Sequence, residues 1–312
     1  MTDNALMSQI AEDYYLNKLS FGEIAQKYQL SRYLINKYLS KAVEYGIVKI
    51  EIAASADRNA QLEQIFKDQF HGVQPYIIQD AATPVRTTDL LSNYAANLVV
   101  QHLQDSNHIV GMTWGDTVYS MVDSISCPPI NNIKFTQFLG ENMRYNSNAG
   151  SVRIVERAAK KMAGEFLTLP APLYIANDQV RTGLYQDDSL STTLNLAQRM
   201  DTILTAVGTA DSLYTIDVWQ KQLSQIFPTV DFDNVAGFIY GRPYDINGHF
   251  LNDQSDKVVG VSLANILQVP KRICLVHNPH KKAAIIGALK GQLITDLVLN
   301  ESLAYEILNA DA

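Results

Sequence analysis

The sequence predicts an α/β domain built on a mainly parallel sheet, preceded by a small all-helical domain. Three observations lead there. From residue 75 onward short apolar runs alternate with amphipathic helical stretches, the pattern of parallel strands joined by crossover helices. Before residue 50 the apolar positions recur almost entirely at helical spacing. Between the two, residues 53–59 (AASADRN) are small and polar, a hinge composition. The expected domains are 1–52 and 53–312, and a chain of 312 residues is long enough for both.

The helical part opens on residues 5–15, where Leu6, Ile10 and Tyr14 recur every four residues and Glu12 and Asp13 face elsewhere. Ser20-Phe21-Gly22-Glu23 is a capping-box pattern that starts a second helix, to about Tyr28, with Phe21, Ile24, Ala25 and Tyr28 on one face. After a turn at Gln29-Leu30, Ser31 can cap a third helix running to Tyr45. Its expected buried stripe is Leu34, Ile35, Tyr38, Leu39, Ala42 and Val43; Arg32, Asn36, Lys37 and Lys41 face the other way. Residues 47–52 alternate like a short strand, a wing. Two short helices around a tight turn, the second with a basic and amide-bearing face, match a winged helix-turn-helix. The second helix of such a motif enters the major groove, where Arg donates to guanine and Asn pairs with adenine. The candidate DNA contacts are Ser31, Arg32, Tyr33, Asn36, Lys37 and Lys41. A three-helix protein-interaction unit with solvated lysines is the alternative.

In the larger part, strands are expected at 75–78, 108–112, 135–139, 203–207, 235–240, 272–276 and 297–299. Helices are expected around Leu62, Ile65, Phe66 and Phe70, and at 90–103, 117–125 and 283–289. Two strand-to-helix turns are candidate ligand sites, since open α/β sheets bind ligands beyond the carboxyl ends of their strands. One is Gly111-Met112-Thr113-Trp114-Gly115-Asp116-Thr117, whose small and hydroxyl residues let backbone N–H groups meet an anion. The other is His277-Asn278-Pro279-His280-Lys281-Lys282; taken singly, each also reads as a plain glycine turn or a run of solvated lysines.

Composition bounds the function. The net charge of −7 argues against a nucleic-acid coat or a membrane-surface protein. Divided by domain, residues 1–50 carry six basic and five acidic groups, so the acidity lies in the larger part. Two cysteines, Cys127 and Cys274, suit a reducing compartment. No apolar run approaches the ~18 residues of a membrane span. A soluble cytoplasmic protein with no membrane partner is expected. The His277/His280 pair has no third or fourth ligand near it in sequence, so neither metal nor cofactor is assigned.

The chain resembles the SorC family of bacterial transcriptional regulators. The resemblance rests on the order of moderately specific blocks over nearly the whole length: GEIAQKYQLSRYLINKYLSKAVEYGIVKIEI, IVGMTWGDTVYSMV, TQFLG, LPAPLYIAND, ILTAVGTADS, VAGFIYGRPYDINGHFLN, KVVGVSLANI and KKAAIIGALKGQLITDLVLNESLAYEIL. It implies a helix-turn-helix joined to an effector domain similar to sugar-phosphate isomerases and deaminases. It also implies a homotetramer, a dimer of dimers, whose binding to double-stranded operator DNA responds to a sugar, polyol or sugar phosphate.

By resemblance the effector site includes Gly111, Thr113, Trp114, Gly115, Asp116, Thr117, Gln137, Phe238 and Lys281, with Lys281 beside an anion. Gly241, Arg242, Asp245 and Gly248 match a recurrent motif that shapes the pocket rim or a turn. The chain departs from the pattern at Asp116, where many members carry a hydroxyl residue, and at Phe238, where many carry an acid. It also departs at Leu139, the place of a Schiff-base lysine in some relatives, at Glu141 and at His277-Asn278. These departures favour an unphosphorylated sugar or polyol, or a divergent ligand, over a phosphosugar. The alternative from another class is an enzyme of the isomerase or deaminase type, and the missing acid at Phe238 weighs against it.

Overall fold

The computed structural model describes residues 3–48, 56–104, 108–142, 148–214 and 216–310. The chain divides into two compact units, Met1–Ser55 and Ala56–Ala312.

Among the described residues the first unit holds three helices, α1 (Asp3–Tyr15), α2 (Phe21–Tyr28) and α3 (Arg32–Glu44). Ile10, Ala11, Ile24, Ile35, Leu39 and Ala42 form its core. The capping box forms as its spacing predicts: the Ser20 hydroxyl accepts from the Glu23 N–H, and the Glu23 carboxylate accepts from the Ser20 N–H. Gln29 turns the chain in the left-handed region (φ 54°), and the Ser31 hydroxyl caps α3. Two expectations are corrected. Leu34 and Val43 lie outside the buried stripe, 37% and 40% exposed, because three short helices enclose too narrow a core to cover both flanks of α3. Asp13 does not face away; it is buried and accepts from the Lys27 ammonium (2.7 Å), the Tyr28 hydroxyl (2.7 Å) and the Asn17 amide (3.0 Å). The expected wing lies almost wholly outside the described residues.

Among its described residues the second unit is built on seven parallel strands in the order β1-β9-β8-β5-β2-β3-β4. They are β1 (Gln74–Ile78), β2 (Ile109–Met112), β3 (Lys134–Gln137), β4 (Glu165–Leu167), β5 (Thr202–Thr205), β8 (Lys271–Leu275) and β9 (Asp296–Asn300). The central strands are buried on both faces, so they read as apolar runs rather than alternations. Along β9, Leu297 and Leu299 enter one apolar layer and Val298 the other.

Three helices, α5 (Pro84–His102), α6 (Asp116–Asp123) and α7 (Ser151–Met162), supply one layer. The other is supplied chiefly by α4 (Ala60–Gln69), α9 (Asp188–Ala197), α13 (Lys282–Lys290) and α14 (Glu301–Ala310). Shorter helices α8 (Asp178–Leu184), α10 (Asp211–Tyr214), α11 (Asp217–Ile226) and α12 (Leu263–Leu267) sit in the connections. The helix expected from residue 90 starts six residues earlier, where Thr83 caps it and Pro84 takes the first-turn position that needs no N–H.

The strand expected at 235–240 does not join this sheet. It forms a separate antiparallel hairpin of β6 (Gly237–Ile239) and β7 (Arg242–Tyr244). Tyr240 and Gly241 both have positive φ (53° and 74°), the tight two-residue turn that closes such a hairpin. The strand expected at 135–139 ends at Gln137; Leu139 instead bridges Gly260.

Candidate functional site

On α3, Ser31, Arg32, Tyr33, Asn36 and Lys37 are all exposed, Tyr33 to 75%. Lys41 is half-buried, its ammonium 6.0 Å from the centre of the Tyr45 ring. Among the described residues none of Arg32, Lys37 and Lys41 carries an ion pair. The face is therefore assembled and its charge uncommitted. Lys27, by contrast, is spent on Asp13, whose carboxyl is held down at about 2, chiefly by the bonds from Lys27 and Tyr28.

The second unit holds a cavity of about 270 Å³ at the carboxyl ends of the parallel strands. Its place follows from topology. From β2 the chain proceeds outward to β3 and β4, then returns to place β5 on the other flank of β2. The crevice between β2 and β5 is the point where such sheets bind ligands. Thr113, Trp114, Gly115, Asp116 and Thr117 leave β2 to form one wall, and Ala206, Val207, Gly208 and Thr209 leave β5 to form another. Phe238 arrives from the hairpin because its N–H and carbonyl pair with Gly208 (2.9 and 2.8 Å). Lys281 projects from the turn after β8.

Seven of the nine expected effector residues thus meet in one cavity: Thr113, Trp114, Gly115, Asp116, Thr117, Phe238 and Lys281. Gly111 and Gln137 are not among its lining residues. Gly111 serves packing, since a side chain there would collide with Met200 and Phe138. Gln137 is fully buried at the end of β3; its carbonyl accepts from the Leu169 N–H (2.8 Å), leaving its amide nitrogen without a hydrogen-bond partner. Leu139 is buried in the core and also lies off the cavity lining.

The cavity is aromatic on one side and sparsely polar on the other. Tyr174, Trp219 and Tyr240 line it, with Tyr174 and Trp219 edge to face at 5.0 Å and the Tyr174 hydroxyl donating to Gly241 (2.7 Å). These three were not legible as site residues, because each reaches the cavity from a distant segment. Gly241 joins the lining, as its motif suggested, whereas Arg242 is buried in an ion pair with Asp256 (2.7 Å) and Asp245 orders the turn through Asn247 and His249.

Three features decide what the polar side can hold. Gly115 adopts φ 111°, open only to glycine without strain, and its N–H is already donated to Ala149 (2.9 Å). Asp116 opens α6 and sets a carboxylate at the positive end of the helix, where an anionic ligand would otherwise sit. Burial lowers the affinity of Lys281 for its proton, with Cys274 and Asp116 opposing, and its ammonium has no hydrogen bond or ion pair among the described residues.

An α/β unit with a ligand-sized cavity at its switch point, in one chain with a helix-turn-helix, is the build of a ligand-responsive transcriptional regulator. Residues 55–309 match the family model described as "Putative sugar-binding domain", and the chain belongs to this family of SorC-type sugar-binding regulators. It is similar to the sorbitol operon regulator of Klebsiella pneumoniae, 26% identical over 98% of both chains. It is also similar to the deoxyribonucleoside regulator of Bacillus subtilis (22%, 97% of both) and the erythritol catabolism regulatory protein EryD of Brucella abortus (20%, 98% of this chain and 97% of that one). The crystal structure of the full-length Klebsiella regulator superposes with a TM-score of 0.70 at 24% identity, covering 99% of this chain and 100% of that one. The protein is a sugar-responsive transcriptional regulator, and its relatives are regulators rather than enzymes. Among the described residues no helix is long and apolar enough to cross a membrane.

Proposed function

We propose that the protein binds operator DNA through the exposed face of α3 and is controlled by an unphosphorylated sugar or polyol in the cavity between β2 and β5. The observation that carries the ligand class is Asp116 at the start of α6. A carboxylate there repels a phosphate and accepts from hydroxyls, while the Gly115 N–H is withdrawn from anion binding. Trp114 and the aromatic wall suit the apolar face of a carbohydrate, and Thr117, Thr209 and Ser212 supply hydroxyls at the lining. Lys281 fits this reading as a donor to ligand oxygens. Two of the relatives are named for polyols, sorbitol and erythritol, which supports the same class.

A cytoplasmic dimer of dimers is the assembly this reading calls for. The DNA-reading segment has nearly balanced charge, so one copy gains little from phosphate neutralisation and several copies multiply the contacts. The ligand acts by binding one arrangement of the assembly more tightly than another, since only differential affinity shifts an equilibrium. Thermal-shift titration with sorbitol, erythritol, related sugars and their phosphates tests the ligand class. A concentration-dependent rise with an unphosphorylated compound and none with its phosphate is expected. The reverse order of preference rejects the assignment of Asp116.

A further inference from the structure

At the pole opposite the cavity, the amino ends of the parallel strands carry a second set of chemistry-bearing side chains that the effector site does not use. His102 ends α5, His108 precedes β2, and Asp201 precedes β5. Although 99 residues of sequence separate His102 from Asp201, folding brings Nε2 or Nδ1 of each imidazole and one Asp201 oxygen within 4.8 Å of one another. Nδ1 of His108 lies 2.8 Å from Oδ1 of Asp201. Nε2 of His102 lies 3.0 Å from the Thr202 hydroxyl, which donates to the same Asp201 oxygen (2.8 Å). The two rings stand 5.3 Å apart.

We infer that His102, His108 and Asp201 form a site for a borderline divalent transition ion of the zinc type. Two imidazoles and one carboxylate are the donor set that zinc prefers over the all-oxygen shells of magnesium and calcium. Zinc bonds of ~2.0–2.2 Å bring ligand atoms to roughly 3.3 Å from one another, so modest rotation of the two imidazoles closes the site. Asp201 is already oriented for the task, because its second oxygen accepts from the Ile109 N–H (2.8 Å). Thr202 is fully buried and hydrogen-bonds both His102 and Asp201, which fixes the orientation of the two side chains. The neighbouring cation Lys271 is neutralised by Asp296 (3.0 Å), which reduces its repulsion of an ion. The site is half-buried, which leaves a water to complete four-coordination. Its effect is mechanical: one ion would tie the end of α5 to the starts of β2 and β5, the two strands that frame the cavity.

The test is calorimetric titration of zinc chloride into the full-length, chelator-treated protein at neutral pH. One ion per chain is expected, together with a rise in melting temperature. His102→Gln and His108→Gln should each abolish that event, whereas His280→Gln, on the exposed turn after β8, should leave it intact. Thr202→Val should weaken binding roughly tenfold or more. X-ray absorption of the zinc-loaded wild-type protein should show two imidazole ligands, a readout that does not depend on any variant folding. Absence of stoichiometric binding, binding that survives both His102→Gln and His108→Gln, or an absorption spectrum without paired imidazoles each overturns the site.

Discussion

Single side chains set what each surface of this regulator can recognise. Arg32 is exposed and, among the described residues, free of ion pairs at the start of α3, where a recognition helix meets base edges. If it reads a base, Arg32→Ala costs about 1–3 kcal/mol of specific operator binding and relaxes preference at one position, measured by competition binding. In the cavity, Asp116 and Lys281 are the opposed charges. Asp116→Ser should improve binding of a phosphorylated ligand relative to its parent sugar by roughly 1–2 kcal/mol, near tenfold, by titration calorimetry. Lys281→Ala should blunt the effector response while operator affinity without effector stays as in the wild type. Because burial lowers the pKa of Lys281, any ligand that brings a negative charge to it raises that pKa again. Such a ligand would bind with proton uptake on the alkaline side, whereas a neutral polyol would not, a difference calorimetry in buffers of different ionisation enthalpy resolves.

At the level of elements, one buried carboxylate joins two helices. Asp13 on α1 holds Lys27 and Tyr28 on α2, and its pKa falls from the usual 3.8 to about 2. A carboxylate with a depressed folded-state pKa stabilises fully above its unfolded value and loses that contribution as pH falls through the folded one. The first unit should therefore lose stability between about pH 4 and pH 2, and Asp13→Asn should remove that dependence. The substitution should also cost roughly 1–3 kcal/mol by denaturant unfolding, because it weakens charge-assisted bonds in a buried setting. The same pair separates the lysines by function. Lys37→Ala should reduce the salt slope of operator binding by about 1 if Lys37 meets a phosphate. Lys27→Ala should change that slope less and act through stability. Sequence spacing found the α2 capping box and the α3 cap outright, since those bonds are made within three residues. The place of Asp13 escapes local spacing for the opposite reason, since Lys27 and Tyr28, which join it to α2, lie 14 and 15 residues away.

For the whole molecule, the charge that first argued against nucleic acid resolves into an acidic ligand-binding part and a nearly neutral reading part. Operator binding should fall steeply with salt and, if the proposed assembly forms, with dilution below its threshold, measurable by sedimentation alongside binding assays. The alternating order of strands and helices, the hinge composition and the glycine-bearing turn after β2 were legible in sequence because each follows from local periodicity or backbone need. They were enough to name the fold class and the wall formed by Thr113, Trp114, Gly115, Asp116 and Thr117; Lys281 lay in the second candidate turn, and Phe238 came only from the resemblance to the family. The sequence could not announce the aromatic wall of Tyr174, Trp219 and Tyr240, the withdrawal of Gly111 and Gln137 from the lining, or the hairpin that carries Phe238 to Gly208. Nor could it bring His102, His108 and Asp201 to one pole of the sheet. Those were decided by tertiary structure, because strand order, not chain order, determines which side chains become neighbours. Periodicity fixes the face on which a residue lies; only the crossover that sets β5 beside β2 fixes what that face meets.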